Sequence, residues 1–385
     1  MGVTSAILLI IFIHHCNAQL LCAKSSPFLA GTNTPVWFLE SNPKNSKNPT
    51  LKHIPNALKE AGLININNNN SSNENSTNAS SGIKKRTLYL EILVAVDYNL
   101  YKKLGENIDD ALEYIISFWS SVDLRFRPLR SPRIYINLAG IVIAKDDNAM
   151  YYIQENKDVW GRVDGNAVIF EQGKYFKNKN QTANHDILVT LTGEDVCIVD
   201  TVRDVCKSET IGASLIGASC LSHLSTAIVE DNGAFNGVVA TTHEIAHLLG
   251  IPHDGTDEAA PCMTCESYIM APSIFKYAVN NFRWSSCSKE IFNQVPAKRT
   301  AECLKNIPNP GSLVQFLLPG QVLSANQLCQ RTGNDVACYN PKRMCNKLIC
   351  FSTKRSNCKK IGITPDGTIC GENKFCFSGE CIPDN

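Results

Sequence analysis

Apolar residues between positions 87 and 306 follow strand and helix patterns in turn. Residues 88–96 form an apolar run typical of a buried strand, and residues 134–143 and 187–191 have the same character. Between the first two runs, apolar residues recur at helical spacing behind a possible helix cap at Asn107: Ile108, Leu112, Ile115, Ile116 and Trp119. Strands that alternate with helices predict an α/β fold, in which helices pack on a mostly parallel sheet.

A further helix is predicted to end just before Gly250. Residues 231–233, Asp-Asn-Gly, provide a start signal. One continuous apolar stripe follows that signal: Phe235, Val238, Val239, Thr242, Ile245, Ala246 and Leu249. Gly250 permits the positive φ that ends a helix, and Pro252 stiffens the chain beyond it.

Residues 1–18 have the pattern of a secretory signal peptide. An apolar run over residues 6–13 is followed by Cys16, Asn17 and Ala18, with small residues where signal peptidase cuts. The run is much shorter than the about 18 apolar residues of a membrane span, and no later stretch reaches that length. We therefore expect a secreted, extracellular protein that does not span a membrane.

Residues 19–86 are predicted to be a largely disordered pro-segment that is removed on maturation. They include a tract rich in Asn and Ser, which cannot bury enough apolar surface to fold. Residues 84–86, Lys-Lys-Arg, are a candidate processing site. The alternative is a glycosylated tail that stays attached. Candidate glycosylation sites are Asn69, Asn70, Asn75, Asn78 and, further along the chain, Asn180.

Charge and cysteine content narrow the class of protein. Lys and Arg number 37 against 36 Asp and Glu, so the chain lacks the basic surface of a nucleic-acid binder. Its 17 Cys indicate an oxidising compartment, metal sites or both. Eight of them fall in residues 307–385, a stretch with little periodicity, which predicts a small disulfide-stapled module. A zinc-binding module is the weaker alternative, because short CxxC pairs are lacking.

The spacing of a metal site occurs in residues 242–255. On the predicted helix, His243 and His247 are one turn apart on the same face, so both imidazoles can reach one ion. After the turn at Gly250, His253 can return as a third ligand. Three neutral His ligands leave one tetrahedral position open, as in catalytic zinc sites. Glu244 is then the candidate general base, which later returns the proton to the leaving amine of a cleaved peptide bond.

The motif HExxHxxGxxHD over residues 243–254, with Met270 downstream, resembles the metzincin signature. Asp254 after the third His resembles the reprolysin branch, which includes the adamalysins, ADAM and ADAMTS proteins. Residues 284–288, WSSCS, resemble a later segment of that family. The resemblance covers residues 87–385 and implies a secreted zinc endopeptidase. In that family the Met forms a turn beneath the zinc, although Met270 as ordinary core would be hard to distinguish from it.

The same resemblance implies the architecture. The catalytic domain, residues 87–306, is expected to have a twisted five-stranded, mostly parallel sheet with helices, and its antiparallel edge strand borders the substrate cleft. Residues 211–218 are the candidate edge. Residues 307–385 resemble the disintegrin-like, cysteine-rich module of ADAMTS proteins, for which a substrate-docking surface is the expected role.

A structural calcium site is also implied by the resemblance. Its ligands would be Glu91, Asp186, Asn306 and the carbonyl of Cys303, and oxygen donors suit Ca²⁺. A lone Glu in a strand is otherwise an edge charge. Family pairing further suggests a disulfide between Cys220 and Cys303.

For the other catalytic-domain cysteines we expect the pairs Cys197–Cys206 and Cys262–Cys287, which leaves Cys265 over. Connectivity cannot be deduced from spacing alone. In the pro-segment, Cys22 has three possible roles: it blocks the zinc as in relatives, it pairs with Cys265, or it does neither.

The functional hypothesis is a monomeric zinc metalloendopeptidase that acts on extracellular proteins. Secretion, a short pro-segment and a truncated tail resemble tick salivary metalloproteases, which implies matrix or clotting substrates such as fibrinogen or fibronectin. The alternative is a non-catalytic adhesion protein that acts through the cysteine-rich module. An adhesion protein has no need of Glu244, so its presence beside three intact ligands favours catalysis.

Overall fold

The structure is a computed structural model that describes residues 34–42, 49–55, 57–60, 87–177, 184–200, 205–207, 210–273, 279–308, 318–338 and 344–384. The predicted signal peptide, Cys22, the processing site at residues 84–86 and all the candidate glycosylation sites lie outside these residues. Among the helices of the described residues, none combines the length and the hydrophobicity of a transmembrane segment.

The strands and helices are numbered here in chain order. The strands are β1 (Val36–Glu40), β2 (Thr50–Ile54), β3 (Thr87–Val96), β4 (Arg133–Ala144), β5 (Val163–Asp164), β6 (Ile187–Thr192), β7 (Val196–Asp200), β8 (Val205–Lys207), β9 (Gly212–Ser214), β10 (Thr226–Glu230), β11 (Val336–Ala337), β12 (Leu348–Ser352), β13 (Asn357–Gly362), β14 (Ile369–Gly371), β15 (Lys374–Phe377) and β16 (Glu380–Pro383). The helices are α1 (Ala57–Glu60), α2 (Tyr98–Lys103), α3 (Ile108–Phe126), α4 (Tyr151–Glu155), α5 (Gly165–Lys177), α6 (Val238–Leu248), α7 (Ser286–Phe292), α8 (Pro319–Val322) and α9 (Ala325–Arg331).

A seven-stranded sheet in the order β2-β1-β4-β3-β6-β10-β9 forms the centre of the molecule. Strands β1, β4, β3, β6 and β10 are parallel, and β2 and β9 are antiparallel edges. The neighbouring strands β4, β3, β6, β10 and β9 form a mostly parallel sheet with an antiparallel edge, which confirms the prediction. The edge strand, Gly212–Ser214, lies within the predicted segment 211–218.

The sheet is wider than the five strands expected, because β1 and β2 come from residues assigned to a largely disordered pro-segment. The expectation of disorder is wrong for residues 36–40 and 50–54. The apolar run of β1 is only four residues long, Val36–Leu39, and its burial comes from pairing with β4, which lies about a hundred positions away in the sequence. The run contains β-branched and aromatic residues typical of a strand, but it is short and its pairing partner is distant in the sequence.

Both faces of the sheet are covered. Alternate residues of β3 serve different cores: Ile92 and Val94 pack with α3 and α6 on one face, and Leu93 and Ala95 pack with α4 and α5 on the other. Helix α3 begins behind Asn107, as predicted, and the Asn107 side chain accepts hydrogen bonds from two backbone N–H groups of its first turn. The result is a three-layer α/β domain.

The C-terminal module contains two three-stranded sheets, β11-β12-β13 and β14-β15-β16. All eight of its cysteines are paired, in the disulfides Cys329–Cys350, Cys338–Cys358, Cys345–Cys376 and Cys370–Cys381. A thiol in a disulfide is not a zinc ligand, so the zinc-module alternative is wrong.

The module packs directly on the catalytic domain. The guanidinium of Arg125, in α3, forms a buried ion pair with Asp366, and it also donates to the hydroxyl of Ser378. Just before helix α6, the Asn232 side chain donates to the carbonyl of Ile361 at 2.9 Å. The two parts therefore share a buried polar interface.

Candidate active site

Helix α6, which carries the first two histidines, begins at Val238 and not at the predicted signal in residues 231–233. The Asp231 carboxylate accepts the N–H groups of Gly233 at 3.1 Å and Gly237 at 2.9 Å. Phe235 has a φ of 60°, which is outside the helical region. The polar side chain thus satisfies a loop rather than capping a helix, which is the physical reason for the later start.

The end of α6 turns the chain back towards the helix. The N–H of Gly250 donates to the carbonyl of His247 at 2.7 Å, and the N–H of Ile251 donates to that of Ala246 at 3.0 Å. This pair of bonds is the Schellman motif, which requires a left-handed residue, and Gly250 has a φ of 90°. The reversal brings His253 beside the two helical histidines.

The three imidazoles converge through their Nε2 atoms. Nε2 of His253 lies 3.1 Å from Nε2 of His243 and 3.1 Å from Nε2 of His247. A tetrahedral zinc ion with Zn–N distances of about 2.0–2.1 Å separates its ligands by about 3.3–3.4 Å. The spacing of these nitrogens therefore fits a single ion of that kind.

Backbone carbonyls fix the tautomer of two of the rings. Nδ1 of His243 lies 2.7 Å from the carbonyl oxygen of Ile269, and Nδ1 of His247 lies 2.8 Å from that of Ile251. A carbonyl only accepts, so Nδ1 carries the proton in both rings and Nε2 keeps its lone pair. That is the form in which imidazole binds a metal.

The electrostatics favour neutral rings. Burial, and secondarily His247, lowers the pKa of His243 well below its ordinary value. Burial, and secondarily His253, lowers the pKa of His247 to about 4, and burial also lowers that of His253. At neutral pH the three groups are unprotonated at Nε2, as metal ligation requires.

Glu244 points from α6 to the edge strand. The Ser214 hydroxyl donates to its Oε2 at 2.6 Å, and a Cβ at Gly212 would lie only 3.0 Å from its Cγ. Burial raises the pKa of Glu244 to about 7, against the opposing effect of the Ser214 hydrogen bond. Ser214 could not be identified from the sequence, because its distance from Glu244 depends on how β9 packs against α6.

Met270 and Asp254 lie in the wall around the histidines. Met270 is fully buried, and its carbonyl accepts the N–H of Asp254 at 2.9 Å. The Asp254 carboxylate accepts the hydroxyl of Ser285 at 2.6 Å, and Ser285 in turn caps α7. The signature residues of three separate segments are thereby joined in one network.

The residues expected to bind calcium also come together, in part. The N–H of Glu91 donates to the Asp186 carboxylate at 3.1 Å, and the side-chain amide of Asn306 lies 2.6 Å from Oε2 of Glu91. Burial raises the pKa of Asp186 to about 7, and the nearby charge of Glu91 adds to this. Cys303 lies three positions before Asn306, in a turn that packs against β3. Two carboxyl groups and an amide so close together form a donor set suited to a cation with oxygen ligands.

The structure contains the three expected catalytic-domain disulfides: Cys197–Cys206, Cys220–Cys303 and Cys262–Cys287. Cys265 is free and exposed. Two further groups of metal-binding side chains occur in the described residues, but each contains cysteines that are in disulfides. The histidine cluster is therefore the strongest transition-metal site in that part of the chain.

Comparison with known families and proteins gives two matches to family profiles. Residues 88–308 match the reprolysin (M12B) family zinc metalloproteases, and residues 319–382 match ADAMTS cysteine-rich domain 2. Both matches follow the division into α/β domain and disulfide-rich module.

Individual relatives agree with these profiles. A Bombyx mori protein named "A disintegrin and metalloproteinase with thrombospondin motifs like" is 33% identical over 312 residues, 77% of this chain and 45% of that protein. Venom metalloproteinase 3 of Eulophus pennicornis is 30% identical over 222 residues, 57% of this chain and 52% of that protein. Rattus norvegicus "A disintegrin and metalloproteinase with thrombospondin motifs 7" is 27% identical over 304 residues, 77% of this chain and 18% of that protein.

The chain thus spans about half, or less, of the length of these relatives. The reprolysin match nevertheless covers more than half of this chain, including the histidine cluster and its supporting network. The chain belongs to the reprolysin (M12B) family of zinc metalloproteases.

Proposed function

We propose that the protein is a secreted zinc-dependent endopeptidase that hydrolyses peptide bonds in extracellular proteins. The observation that carries the proposal is the convergence of three histidine Nε2 atoms beside the buried carboxyl of Glu244. Glu244 lies on α6, the helix that carries the first two of these histidines. His243, His247 and His253 would hold the ion. When bound, zinc supplies a Lewis acid that polarises the scissile carbonyl and lowers the pKa of a water to about 7.

Glu244 is the residue that moves the proton. A carboxyl group whose pKa lies near 7 can both accept a proton from the attacking water and return it to the leaving amine near neutral pH. Ser214 binds Oε2, which leaves Oε1 for that exchange. Gly250, Asp254 and Met270 act indirectly, because they hold the third histidine and the adjoining wall in place.

Strand β9 supports binding of an extended peptide. It is an edge of the sheet, and only β10 pairs with it among the described strands. Its open side can accept a substrate as an additional strand, with main-chain hydrogen bonds that set the register. Because Ser214 and Gly212 of this strand also contact Glu244, such a substrate would lie next to the proton carrier.

The proposal of secretion is supported by the seven disulfides in the described residues, which need an oxidising compartment. Some of the similar proteins are named as venom metalloproteinases, which agrees with export. We further propose matrix or clotting proteins, such as fibrinogen or fibronectin, as substrates. A structural calcium ion on Glu91, Asp186, Asn306 and the Cys303 carbonyl completes the proposal.

The test is digestion of gelatin and fibrinogen by the purified protein, with Glu244→Ala as the matched control. We expect the wild type to cleave and the variant to lose activity by several orders of magnitude, as expected for the removal of a general base together with its positioning. Metal analysis should give equal zinc in both proteins, because Glu244 is not a ligand. Equal cleavage by the two proteins would contradict the assigned role.

A further inference from the structure

We infer that the outer edge of β4 is a docking surface for the described part of residues 34–58 of the same chain (34–42, 49–55 and 57–58). This segment stays bound after any cut in residues 59–86 and leaves the substrate cleft open. In the sequence this segment precedes the candidate processing site and has the position of a removable pro-segment. In the structure its strands β1 and β2 belong to the central sheet. The inference does not depend on the proposed peptidase activity.

Main-chain hydrogen bonds form the first part of this interface. Strand β1 pairs in parallel with β4 in a continuous register from Val36 opposite Ile141 to Leu39 opposite Ala144. The N–H of Ile141 donates to the carbonyl of Pro35 at 3.0 Å, and the N–H of Lys145 donates to that of Leu39 at 2.8 Å. Without β1, the apolar strand β4 would be an exposed sheet edge with unpaired N–H and carbonyl groups.

A socket for Trp37 forms the second part. Its indole ring lies against Gly140 of β4, where a Cβ would come within 2.6 Å of the ring. The backbone of β4 is also irregular at this point, since the pairing with β3 shifts by one residue between Ile92 and Leu93. A larger residue at this position would displace the indole, so β4 is shaped to receive this side chain.

Buried apolar residues on both faces form the third part. Leu39 is fully buried in the core on the α5 side of the sheet, together with Trp37. Val36, Ala57 and Leu58 are buried in the core on the α3 side. The segment therefore contributes to both hydrophobic cores of the domain, and its removal would expose apolar surface on each.

Polar contacts complete the interface at its margins. The N–H of Ser41 donates to the carboxylate of Asp146 at 2.8 Å, and the hydroxyl of Thr34 donates to the carbonyl of Leu138 at 3.2 Å. The ammonium of Lys145 lies 4.3 Å from the ring centre of Phe38. Each of these contacts links the segment either to β4 itself or to the loop that follows it.

The position of β1 in the sheet separates it from the cleft. Strands β4, β3, β6 and β10 lie between β1 and the edge strand β9. Neighbouring strands are about 4.7–4.9 Å apart, so β1 is about 24 Å from the edge that borders Glu244. While β1 and β2 are held in the sheet, they cannot fill the substrate site.

The experiment uses the full chain with a tag after residue 18 and a site for a sequence-specific protease inserted between residues 62 and 80, in the Glu244→Ala background to prevent self-digestion. After the engineered cut, the tagged peptide is captured and washed. We expect the folded catalytic domain to be retained by the captured peptide at a molar ratio of about one to one, because the folded domain binds the peptide. Loss of the peptide from a domain that remains folded by circular dichroism would overturn the inference.

Two variants refine the test. Trp37→Ala should weaken retention about a hundredfold or more, since it empties the socket on β4. Lys52→Ala is the matched control in β2, because that side chain is 59% exposed and forms only a surface ion pair with Glu40; it should leave retention unchanged. If Trp37→Ala does not fold as an intact chain, the wild-type result alone decides.

A separate arm addresses the cleft. In the active protein with the same engineered site, cleavage of a short peptide substrate should be unchanged by the cut. A large increase in rate that accompanies release of this segment from the domain would overturn the claim that it leaves the cleft open. If neither sample cleaves the peptide, the proposed peptidase activity fails, and the binding arm still tests the docking surface.

Discussion

The hydroxyl of Ser214 donates a 2.6 Å hydrogen bond to Oε2 of Glu244 and so ties the edge strand to the HExxH helix. The same hydroxyl also lies 3.1 Å from the backbone carbonyl of Glu244. One carboxylate oxygen is thereby held against the strand on which a substrate would lie. Ser214 is accordingly a positioning residue for the proton carrier.

Replacing Ser214 by Ala should lower kcat/KM about tenfold, which corresponds to the about 1.5 kcal/mol of a hydrogen bond to a charged group. The hydrogen bond lowers the pKa of Glu244, so its loss raises that pKa. Because the base form must be unprotonated, the acidic limb of the pH profile of kcat/KM should move to higher pH. Ser214→Thr keeps the hydroxyl and should keep the wild-type profile. An unshifted limb in Ser214→Ala would exclude the positioning role.

Removal of the metal should abolish activity. We expect 1,10-phenanthroline to inactivate the protein and added zinc to restore it, whereas serine-protease inhibitors have no effect, because no covalent enzyme intermediate is involved. The melting temperature should also fall, since an ion bound only to the folded state stabilises it. Without any chelator, His253→Ala should have the same lack of activity and the same lowered melting temperature as the wild-type protein from which the metal has been removed. Full activity at zero zinc content would refute the metal mechanism.

Calcium should stabilise the protein more at pH 7.5 than at pH 5. With no cation, the raised pKa of Asp186, about 7, means that the folded state holds a proton that the unfolded state loses near pH 4. Stability from this group is therefore present at low pH and is lost as the pH rises through 7. A cation that neutralises Asp186 and Glu91 removes this loss. Melting curves in calcium and in chelator, at both pH values, measure the difference.

Asp186→Asn is the control for that experiment. It removes the titrating group, so both the calcium effect and its dependence on pH should shrink together. A calcium effect of equal size in Asp186→Asn and wild type would place the ion elsewhere.

The ion pair between Arg125 and Asp366 should contribute strongly to the stability of the catalytic domain packed against the C-terminal module. Asp366→Ala leaves the guanidinium, which is only 2% exposed, without its partner, and should cost about 3–5 kcal/mol in the free energy of unfolding. Arg283→Ala is the matched control, since its pair with Glu380 links the same two parts but is nearly half exposed. It should cost at most about 1 kcal/mol. Urea denaturation measures both; equal small losses would contradict the buried-pair argument.

Local spacing made much of the site predictable. Two histidines four positions apart on a helix must share a face, and a glycine at position 250 ends that helix, so the trio could be found without a structure. Helix α3 and strands β3 and β4 were equally predictable, because each is ten or more residues long and strongly apolar.

Features that depend on distant pairing were not predictable. The apolar run of strand β1 is only four residues long, and its partner strand β4 lies about a hundred positions away in the sequence. Asp231 could cap a helix or satisfy a loop, and the sequence does not distinguish the two uses. Ser214 and Asp366 gain their importance from Glu244 and Arg125, far away along the chain.

The protons on His243 and His247 are held by the main chain, through the carbonyls of Ile269 and Ile251. Every amino acid has such a carbonyl, so mutation at either isoleucine can alter packing without deleting the acceptor. Amino-acid substitutions at these two positions therefore leave the orientation of the rings unchanged, and only a change in the path of the backbone can disturb it.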